Sequence, residues 1–410
     1  MTAAIQPTPP ALASPIHPLR ERNYRLLWMG NGISWLGDQF YMVAMPWLIL
    51  QLTGSAAALG AIMMTAAIPR AVLMLIGGAM TDRISARRIM IATAWLRTLL
   101  VTAIAALVWF NLLQLWQVYV LAFAFGAADA FYSPAAQTFL PSLVKPELLP
   151  AANSVSQSTF QITTLVGPAP AAMLVKALGV SWAFIIDAIS FLFIIGALWW
   201  LPDPPQAQST RKNVWTSIVE GVGYVGRDAA LRSLLLVVAM INFCITGPMM
   251  VSLPWIAKQR FGSPVAFAVL TSSLAGGSLL GVILAGLRRQ QQKRGWLLLG
   301  VSSFIGLSVG VMGILHHLWL MALVLLLMAM ATGFLNIQLI SWFQQRVERT
   351  VLGRVMSVMM FASIGLMPLS LAAAGLALKW SLQGMFAVSG ALVLLVTMLA
   401  AAHRPVREIE

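Results

Sequence analysis

Long apolar runs alternate with short polar loops along almost the entire chain. A membrane-spanning helix needs roughly 20 mainly apolar residues, because the hydrocarbon core is about 30 Å thick and each helical residue rises about 1.5 Å. The strands of a spanning β-barrel would alternate in polarity, whereas these runs are continuously apolar. The pattern therefore predicts an all-α integral membrane protein with twelve transmembrane helices, at 24–52, 57–80, 88–110, 115–140, 151–176, 180–201, 233–257, 264–287, 295–315, 318–345, 353–378 and 381–402.

One long polar stretch divides the predicted helices into two groups of six. This linker, 202–232, separates an N-terminal six-helix bundle, 23–201, from a C-terminal six-helix bundle, 233–402, and residues 1–22 and 403–410 are the expected tails. The charged loop after the second helix also has a weak counterpart after the eighth, where a glycine-containing run again precedes paired arginines. Such internal repetition is typical of duplicated membrane transporters.

The distribution of basic residues predicts the orientation of the chain. Charged residues make up 9% of the sequence, against about a quarter in a soluble protein, yet the net charge is +14. With the N-terminus inside, the basic loop residues that would face outward are Lys176, Lys258, Arg260 and Lys379. Cytoplasmic loops are enriched in lysine and arginine. Both termini are therefore expected in the cytoplasm, and the positive charge does not require a nucleic-acid partner.

The sequence offers little for metal, cofactor or enzyme chemistry. Cys244 is the single cysteine, and the histidines, His17, His316, His317 and His403, are not spaced as a convincing metal site. A phosphate-cradling loop of the Gly-x-x-x-x-Gly-Lys-Ser/Thr type is missing from the sequence. We expect no metal, no cofactor and no catalytic residue, so any transport would be driven by a gradient. The chain is expected to be monomeric, with membrane lipid around it.

Five ionisable side chains lie well inside the predicted spans, away from their ends, and all five are in the first half of the chain: Asp38, Arg70, Arg97, Asp129 and Asp187. An ionisable group in the bilayer costs at least a few kcal/mol on insertion scales. Each therefore needs a functional or structural reason. Because helices seven to twelve carry no acid within their predicted spans, any proton-binding carboxylate is expected in the N-terminal bundle.

Two motifs carry a resemblance to a known family. Gly78-x-x-x-Asp82-Arg83, followed by Arg87 and Arg88, resembles the loop signature of the major facilitator superfamily, although Ser85 stands where a second glycine is usual. In helix five, Gly167-Pro168 and the small residues after it resemble the Gly-Pro-x-x-Gly-Gly motif of the superfamily's antiporters, with alanine at both trailing glycines. Whole-chain similarity from Arg20 onward points to bacterial drug and siderophore exporters of the proton-antiporter type.

The resemblance implies roles for the charged residues. Helices one, four, seven and ten line the central cavity in this fold, so Asp38 and Asp129 are expected to face it and to couple transport to protons. A dry cavity raises the pKa of a carboxyl group and a nearby cation lowers it, so proton and substrate would compete. The alternative is a permanently ionised acid that pairs with Arg70 and only fixes helix packing.

Two further arrangements are expected from the same resemblance. Arg97 and Asp187, on helices three and six, come at similar depth when counted from their helix ends, and a structural ion pair is predicted. Asp82 and Arg83, at the inner end of helix two, are expected to form a gating latch with Arg354 or Arg349 near helix eleven. The competing interpretation is that these loop charges only anchor the topology, and for Arg87 and Arg88 it is preferred.

Aromatic and methionine side chains near the intramembrane acids, and others on helix seven, are predicted to line the cavity, because large polarizable surfaces accept varied apolar ligands. With Arg70, the predicted cavity residues are Trp35, Phe40, Tyr41, Trp47, Phe131, Tyr132, Phe243, Met249 and Met250.

The function expected from the resemblance is export of small amphipathic molecules across the bacterial inner membrane in exchange for protons. Fold alone does not set the direction of transport. Uptake or lipid flipping by the same fold therefore remains an alternative, and so does a non-transporting membrane receptor or assembly subunit.

Overall fold

The computed structural model describes residues 17–81, 84–203, 223–287, 294–347, 355, 358, 359 and 365–402. Within these ranges the regular structure is helical throughout and contains no strand, so the all-α prediction is confirmed. Residues 1–16 of the predicted N-terminal tail, the predicted C-terminal tail, most of the linker and the latch residues Asp82, Arg83, Arg349 and Arg354 lie outside the described residues. The latch therefore stays a prediction.

In the described part of the first half of the chain there are seven helices: α1 (Arg22–Thr53), α2 (Ala56–Thr81), α3 (Ala86–Trp109), α4 (Leu115–Phe139), α5 (Leu149–Val166), α6 (Pro168–Leu178) and α7 (Val180–Trp200). The described ranges of the second half contain α8 (Ala229–Gln259), α9 (Pro264–Leu287), α10 (Arg294–Met312), α11 (Leu318–Arg346), α12 (Met367–Trp380) and α13 (Leu382–Ala402). Short 3-10 helices cover His17–Arg20, Leu140–Ser142 and Pro146–Leu148.

Each predicted span overlaps a helix of the structure. Nine helices within the described ranges are long and apolar enough to cross a membrane. The fifth predicted span is covered by α5 and α6, which meet at Gly167, whose own backbone angles are helical. The described part of the eleventh span is mainly α12, because most of 348–364 lies outside the described residues.

Helix contacts group the chain into two bundles. In the first half, α1 packs against α5, α6 and α7, α2 packs against α4, and α3 packs against α4 and α7. In the second half, α9 packs against α11, α10 against α13, and α8 against α12 and α13. This is the predicted arrangement of two helical bundles. Contacts between the halves run mainly from α2 to α12 and from α5 and α6 to α9.

We call the end of the molecule where α1 begins the inner end and the end where α1 stops at Gly54 the outer end. Gly54 has φ of 61° and donates its N–H to the Leu50 carbonyl, a left-handed helix stop that glycine adopts without steric cost. Near the outer end, α2 and α12 touch through glycines. A Cβ on Gly60 would lie 2.9 Å from the Cα of Gly375, so a side chain at position 60 would push the helices apart, whereas a Cβ on Gly375 would have its nearest neighbour at 3.1 Å.

At the inner end, Arg87 caps α7. Its Nε donates to the Leu198 carbonyl at 2.6 Å and its Nη2 to the Trp199 carbonyl at 2.9 Å. These carbonyls belong to the last turn of a helix, where cations are favoured by unpaired acceptors and by the helix dipole. Arg88 lies 3.4 Å from Asp203 just beyond α7. Arg87 therefore has a structural role as a helix cap, which the preferred interpretation as a topology anchor did not include.

Candidate functional site: a charged cavity in the first bundle

A cavity of about 1110 Å³ opens between helices of the first half. It extends from the charged residues in the middle of α1 and α4 to Pro141 and Asn153 near the inner end. Its lining comes from α1 to α5 and the segment after α4: Leu27, Asn31, Trp35, Asp38, Arg70, Arg97, Asp129, Tyr132, Ser133, Ala136, Gln137, Leu140, Pro141, Asn153, Ser154, Ser156, Gln157, Ser158 and Phe160.

Asp38 and Arg97 form an ion pair at the base of the cavity. Arg97 Nη2 donates to Asp38 Oδ1 at 2.9 Å. The arginine side chain is 7% exposed and that of Asp38 is 26% exposed, so the acid remains accessible from the cavity. α1 and α3 contribute one partner each, and the pair therefore joins two helices through a charge-assisted hydrogen bond.

Asp129 on α4 lies between two arginines. It forms an ion pair with Arg70 of α2, and its Oδ1 is 3.8 Å from Nη2 of Arg97. Arg70 is half exposed in the cavity, whereas Asp129 is 13% exposed. Asp38 and Asp129 thus share one arginine, and both line the cavity as expected. Asp129 also pairs with Arg70, as the alternative interpretation expects. The geometry therefore agrees with both a proton-coupling role and a packing role for Asp129.

Aromatic rings surround the guanidinium group of Arg97. Its Cζ lies 4.5 Å from the ring centroid of Phe191, 4.9 Å from that of Phe125 and 5.5 Å from that of Tyr132. A cation over an aromatic face is attracted by about 0.5–2 kcal/mol, with the upper value for desolvated sites. These rings hold the arginine in the membrane interior without neutralising it.

The predicted ion pair between Arg97 and Asp187 is wrong. Asp187 on α7 is fully buried, but its carboxylate oxygens have no hydrogen-bond partner among the described residues, and Arg97 pairs with Asp38 instead. Counting residues from helix ends fixes the depth of a side chain and leaves its direction around the helix axis open. Asp38 approaches the arginine from α1, a helix that the depth comparison did not include.

A row of polar side chains on α5 forms one wall of the cavity, and sequence reasoning missed it. The row consists of Asn153, Ser154, Ser156, Gln157 and Ser158, within a span that was read only as apolar. On α1, Asn31 accepts a hydrogen bond of 2.9 Å from the Tyr132 hydroxyl. Five polar residues within six positions of a spanning helix were the available signal.

Comparison with known proteins identifies the family. The family model described as transmembrane secretion effector matches residues 13–410. The chain belongs to this family. It is a membrane transporter of the major facilitator superfamily and not an enzyme.

The transporter has relatives along most of its length. It is 25% identical to macrolide efflux protein A of Streptococcus pyogenes over 391 residues, which cover 94% of this chain and 96% of the relative. It is 30% identical to the multidrug efflux pump Tap of Mycolicibacterium fortuitum over 371 residues, which cover 84% and 85% of the two chains.

Solved structures share its fold. A bacterial homologue of the iron transporter ferroportin in an inward-facing state superposes with a TM-score of 0.71 at 16% identity and covers 93% of this chain and 98% of that one. The nucleoside transporter NupG gives a TM-score of 0.72 at 12% identity, with the same coverage. At these identities the likeness concerns the fold alone.

Among the predicted cavity residues, Trp35, Arg70 and Tyr132 do line the cavity of the transporter. Trp35 meets Phe160 of α5 edge to face, with centroids 5.6 Å apart. The remaining predicted residues lie in packed regions outside the cavity lining. Those of the first bundle are helical neighbours of cavity residues and point to other faces, and those of α8 belong to a helix that contributes no described residue to the lining. The remaining residues are Phe40, Tyr41, Trp47, Phe131, Phe243, Met249 and Met250.

The Gly167-Pro168 motif places α6 close to α1. A Cβ on Gly167 would lie 2.4 Å from Cγ of Gln39, next to Asp38 in the sequence. Pro168 opens α6 and is buried, and Ala171 and Ala172 are buried as well. The motif therefore brings the fifth span against the helix that carries Asp38, consistent with close packing through small residues. Its link to antiport stays a prediction.

Proposed function

We propose that this transporter exports small amphipathic compounds across the bacterial inner membrane in exchange for protons, by alternating access. The observation that carries the proposal is the pair of cavity acids, Asp38 and Asp129, each held by an arginine and each reachable from the cavity. Ionisable groups placed at this depth are found in membrane proteins mainly where substrates or protons pass.

The ion pairs provide a basis for competition. A cationic substrate or a proton that neutralises either acid would release the arginine bound to it. Because a carboxylate that has taken up a proton no longer attracts a cation strongly, substrate binding and proton binding would exclude each other. Such exclusion is the requirement for exchange, since a carrier that binds both together would move them in the same direction.

The cavity also favours a particular kind of substrate. Its volume of about 1110 Å³ is slightly above the roughly 300–1,000 Å³ usual for ligand pockets. Polar groups on α5 face it together with Trp35 and Phe160, so a bulky molecule with both polar and apolar surfaces would fit. The names of the relatives, a macrolide efflux protein and a multidrug efflux pump, agree with this substrate class.

The orientation follows from the lysines and arginines. With the inner end in the cytoplasm, the cavity lining reaches the cytoplasmic side, from which an exporter must collect its substrate. Both termini are then cytoplasmic, and the transporter is proposed to act as a monomer.

The test is transport of a macrolide into inside-out proteoliposomes. The purified full-length protein is reconstituted, a pH gradient with an acidic lumen is imposed, and uptake of radiolabelled erythromycin is measured with and without a protonophore. We expect uptake that the protonophore abolishes and that Asp38→Asn and Asp129→Asn each reduce at least tenfold. Glu147→Gln, which removes an exposed acid at the inner end, is the matched control and should transport normally.

Different outcomes separate the competing functions. Normal proton-driven transport by both aspartate variants would refute the assignment of the coupling acids. Uptake driven by a gradient of the opposite polarity would indicate symport, and binding of erythromycin without flux would support the receptor alternative.

A further inference from the structure

Of the three acids Asp38, Asp129 and Asp187, Asp187 is the one whose carboxylate has no ion-pair or hydrogen-bond partner among the described residues. It lies on α7, is fully buried, and neither carboxylate oxygen has a hydrogen-bond partner there. The nearby hydroxyl of Ser190 donates to the main-chain carbonyl of Asp187 at 2.7 Å. An ionised carboxylate without donors or a counter-ion is among the most costly groups to bury.

Its surroundings join it to the cavity. Gly37 of α1, directly before Asp38, faces Asp187 so closely that a Cβ on the glycine would lie 3.1 Å from Asp187 Oδ1. Asp187 also interacts electrostatically with Arg97, as do Asp38 and Asp129. The Nε of Arg97 is buried and has no hydrogen-bond partner among the described residues. Arg97 therefore has a buried donor without a partner among these residues, and Asp187 has two buried acceptors without one.

The other titratable group that interacts with Asp187 is Tyr41 on α1, a neutral phenol. Tyr132 on α4, also a neutral phenol, interacts with Arg97, Asp38 and Asp129. The two phenols leave the charge of the cluster unchanged.

Charge counting shows that the cluster is one proton short of neutrality. Two arginines, Arg70 and Arg97, face three aspartates, Asp38, Asp129 and Asp187. With all five ionised, the cluster would carry a net charge of −1 inside the membrane. A single proton on Asp187 brings the sum to zero and leaves both observed ion pairs intact, whereas a proton on Asp38 or Asp129 would break one of them.

The geometry points to Asp187 as the group that holds the exchanged proton, and to Arg97 as the positioning residue that turns from Asp38 to Asp187 when a cationic substrate binds. This inference rests on the proposed exchange function and specifies its site. Asp38 and Asp129 then act through their ion pairs, while the proton itself is held one layer behind the cavity.

Both charge and protons are conserved in the exchange step. The cationic group of the substrate pairs with Asp38 and displaces Arg97, whose guanidinium then approaches Asp187. The O–H bond of Asp187 breaks, and a water molecule entering from the cavity accepts the proton. Three cations, the two arginines and the substrate, now face three carboxylates, and the sum is again zero. One proton is released for each singly charged cation, so singly charged organic cations are the expected substrate class.

The first measurement is infrared spectroscopy of the full-length protein in lipid bilayers at neutral pH. The wild-type protein should show the carbonyl stretch of a protonated carboxylic acid, and Asp187→Asn should lack it. Addition of the probe tetraphenylphosphonium should remove this band from the wild type and release about one proton per bound cation into a weakly buffered solution. Glu147→Gln should behave as the wild type.

The second measurement is the affinity for tetraphenylphosphonium as a function of pH. Because cation and proton exclude each other, wild-type affinity should rise with pH, with a limit of about tenfold per unit for one linked proton. Asp187→Asn has no proton to exchange, so its affinity should be independent of pH. If that variant keeps the wild-type band, proton release and pH dependence, the proton is on another acid and the inference is overturned.

Stability provides a check that does not depend on binding. Asparagine resembles the neutral acid proposed at position 187, so Asp187→Asn should fold and unfold thermally as the wild type does. Asp38→Asn removes the ion-pair partner of Arg97 and should be less stable. A strongly destabilised Asp187→Asn would show that the acid is ionised and would contradict the inference.

The two proposals can fail separately. If erythromycin transport ignores the pH gradient while the acid band still depends on Asp187, the exchange function fails and the protonated site stands. If export is proton-driven and Asp187→Asn exports normally, only the inference about Asp187 fails.

Discussion

At the scale of single residues, Arg97 connects the parts of the charged cluster. It pairs with Asp38, approaches Asp129 at 3.8 Å and packs among the rings of Phe125, Tyr132 and Phe191. A buried cation with this many partners is held by several weak interactions in addition to one strong one. Removal of the Arg97 side chain would leave Asp38 without a counter-charge. It would also empty the aromatic pocket that surrounds the guanidinium group.

We expect Arg97→Ala to destabilise the transporter by about 3 kcal/mol, at the lower end of the roughly 3–5 kcal/mol found when one partner of a buried pair is removed. The lower end applies because Asp38 is partly exposed to the cavity. Arg88→Ala is the matched control, since its pair with Asp203 is solvent-exposed and should be worth about 1 kcal/mol or less.

The comparison is made by thermal unfolding of the purified proteins in detergent. Equal melting temperatures for Arg97→Ala and Arg88→Ala would contradict the central role of Arg97 in packing.

The sequence identified the charged residues inside the membrane more accurately than it identified their ion-pair partners. Insertion cost singles out each of the five intramembrane charges without any structure, and four of them line the cavity. The partner of Arg97 was mispredicted because an ion pair depends on helix rotation, which is set by packing contacts such as that of Gly37 with α7. Apolar periodicity carries no information on rotation when a helix is apolar on every face.

At the scale of helices, α8 shows how a side chain from another helix can stabilise a break. Pro248 lies inside α8 and has no N–H to donate. One residue earlier, the N–H of Gly247 donates to Ser370 Oγ of α12 at 2.8 Å, and the same hydroxyl donates to the Phe243 carbonyl. Ser370 is therefore inserted between two backbone groups that an unbroken helix would join directly.

Ser370→Ala should destabilise the transporter by about 1–3 kcal/mol, because it leaves a buried N–H and a buried carbonyl without their shared partner. Ser308→Ala is the matched control. Its side chain is also buried, but its hydroxyl donates to the Phe304 carbonyl of its own helix and should contribute less than about 0.5 kcal/mol. The stabilities of both variants are compared by thermal unfolding in detergent. A Ser370→Ala protein as stable as Ser308→Ala would show that the Gly247 N–H and the Phe243 carbonyl of α8 pair directly without the serine.

A proline within an apolar span indicates a helix break from the sequence alone, but the sequence does not show which side chain stabilises the break. Ser370 is separated from Gly247 by more than 100 residues, and a serine in an apolar span has no pattern that indicates which helix it will face. The polar row on α5 is the opposite case, because its composition alone distinguishes it from the other spans.

At the scale of the whole molecule, the fold was predictable because length and apolarity decide it. Twelve runs of membrane-spanning length, a central polar linker and a weak internal repeat lead to two helical bundles. Neither the contacts between the bundles nor the location of the cavity in the first half could be obtained in this way. The contacts depend on small residues, such as Gly60 and Gly375, at positions where the two halves touch.

The contact between α2 and α12 near the outer end should separate when the transporter opens outward. A Cβ at position 375 would lie 3.3 Å from the Cα of Ala57, which is compatible with the about 4.4–6.8 Å that a disulfide spans between Cα atoms. The double variant Ala57→Cys with Gly375→Cys should therefore form a disulfide on mild oxidation. The native thiol, Cys244, is buried and should not compete.

Oxidation of this double variant should reduce erythromycin transport in proteoliposomes at least tenfold, and a reductant should restore it, since alternating access requires the two halves to part at one end in each cycle. Each single cysteine variant, oxidised in the same way, serves as the control and should retain the rate that it has before oxidation. Tetraphenylphosphonium binding should survive the cross-link, because the cavity lining lies toward the inner end. A cross-linked protein that transports at its full rate would show that the bundles do not separate at the contact between Ala57 and Gly375.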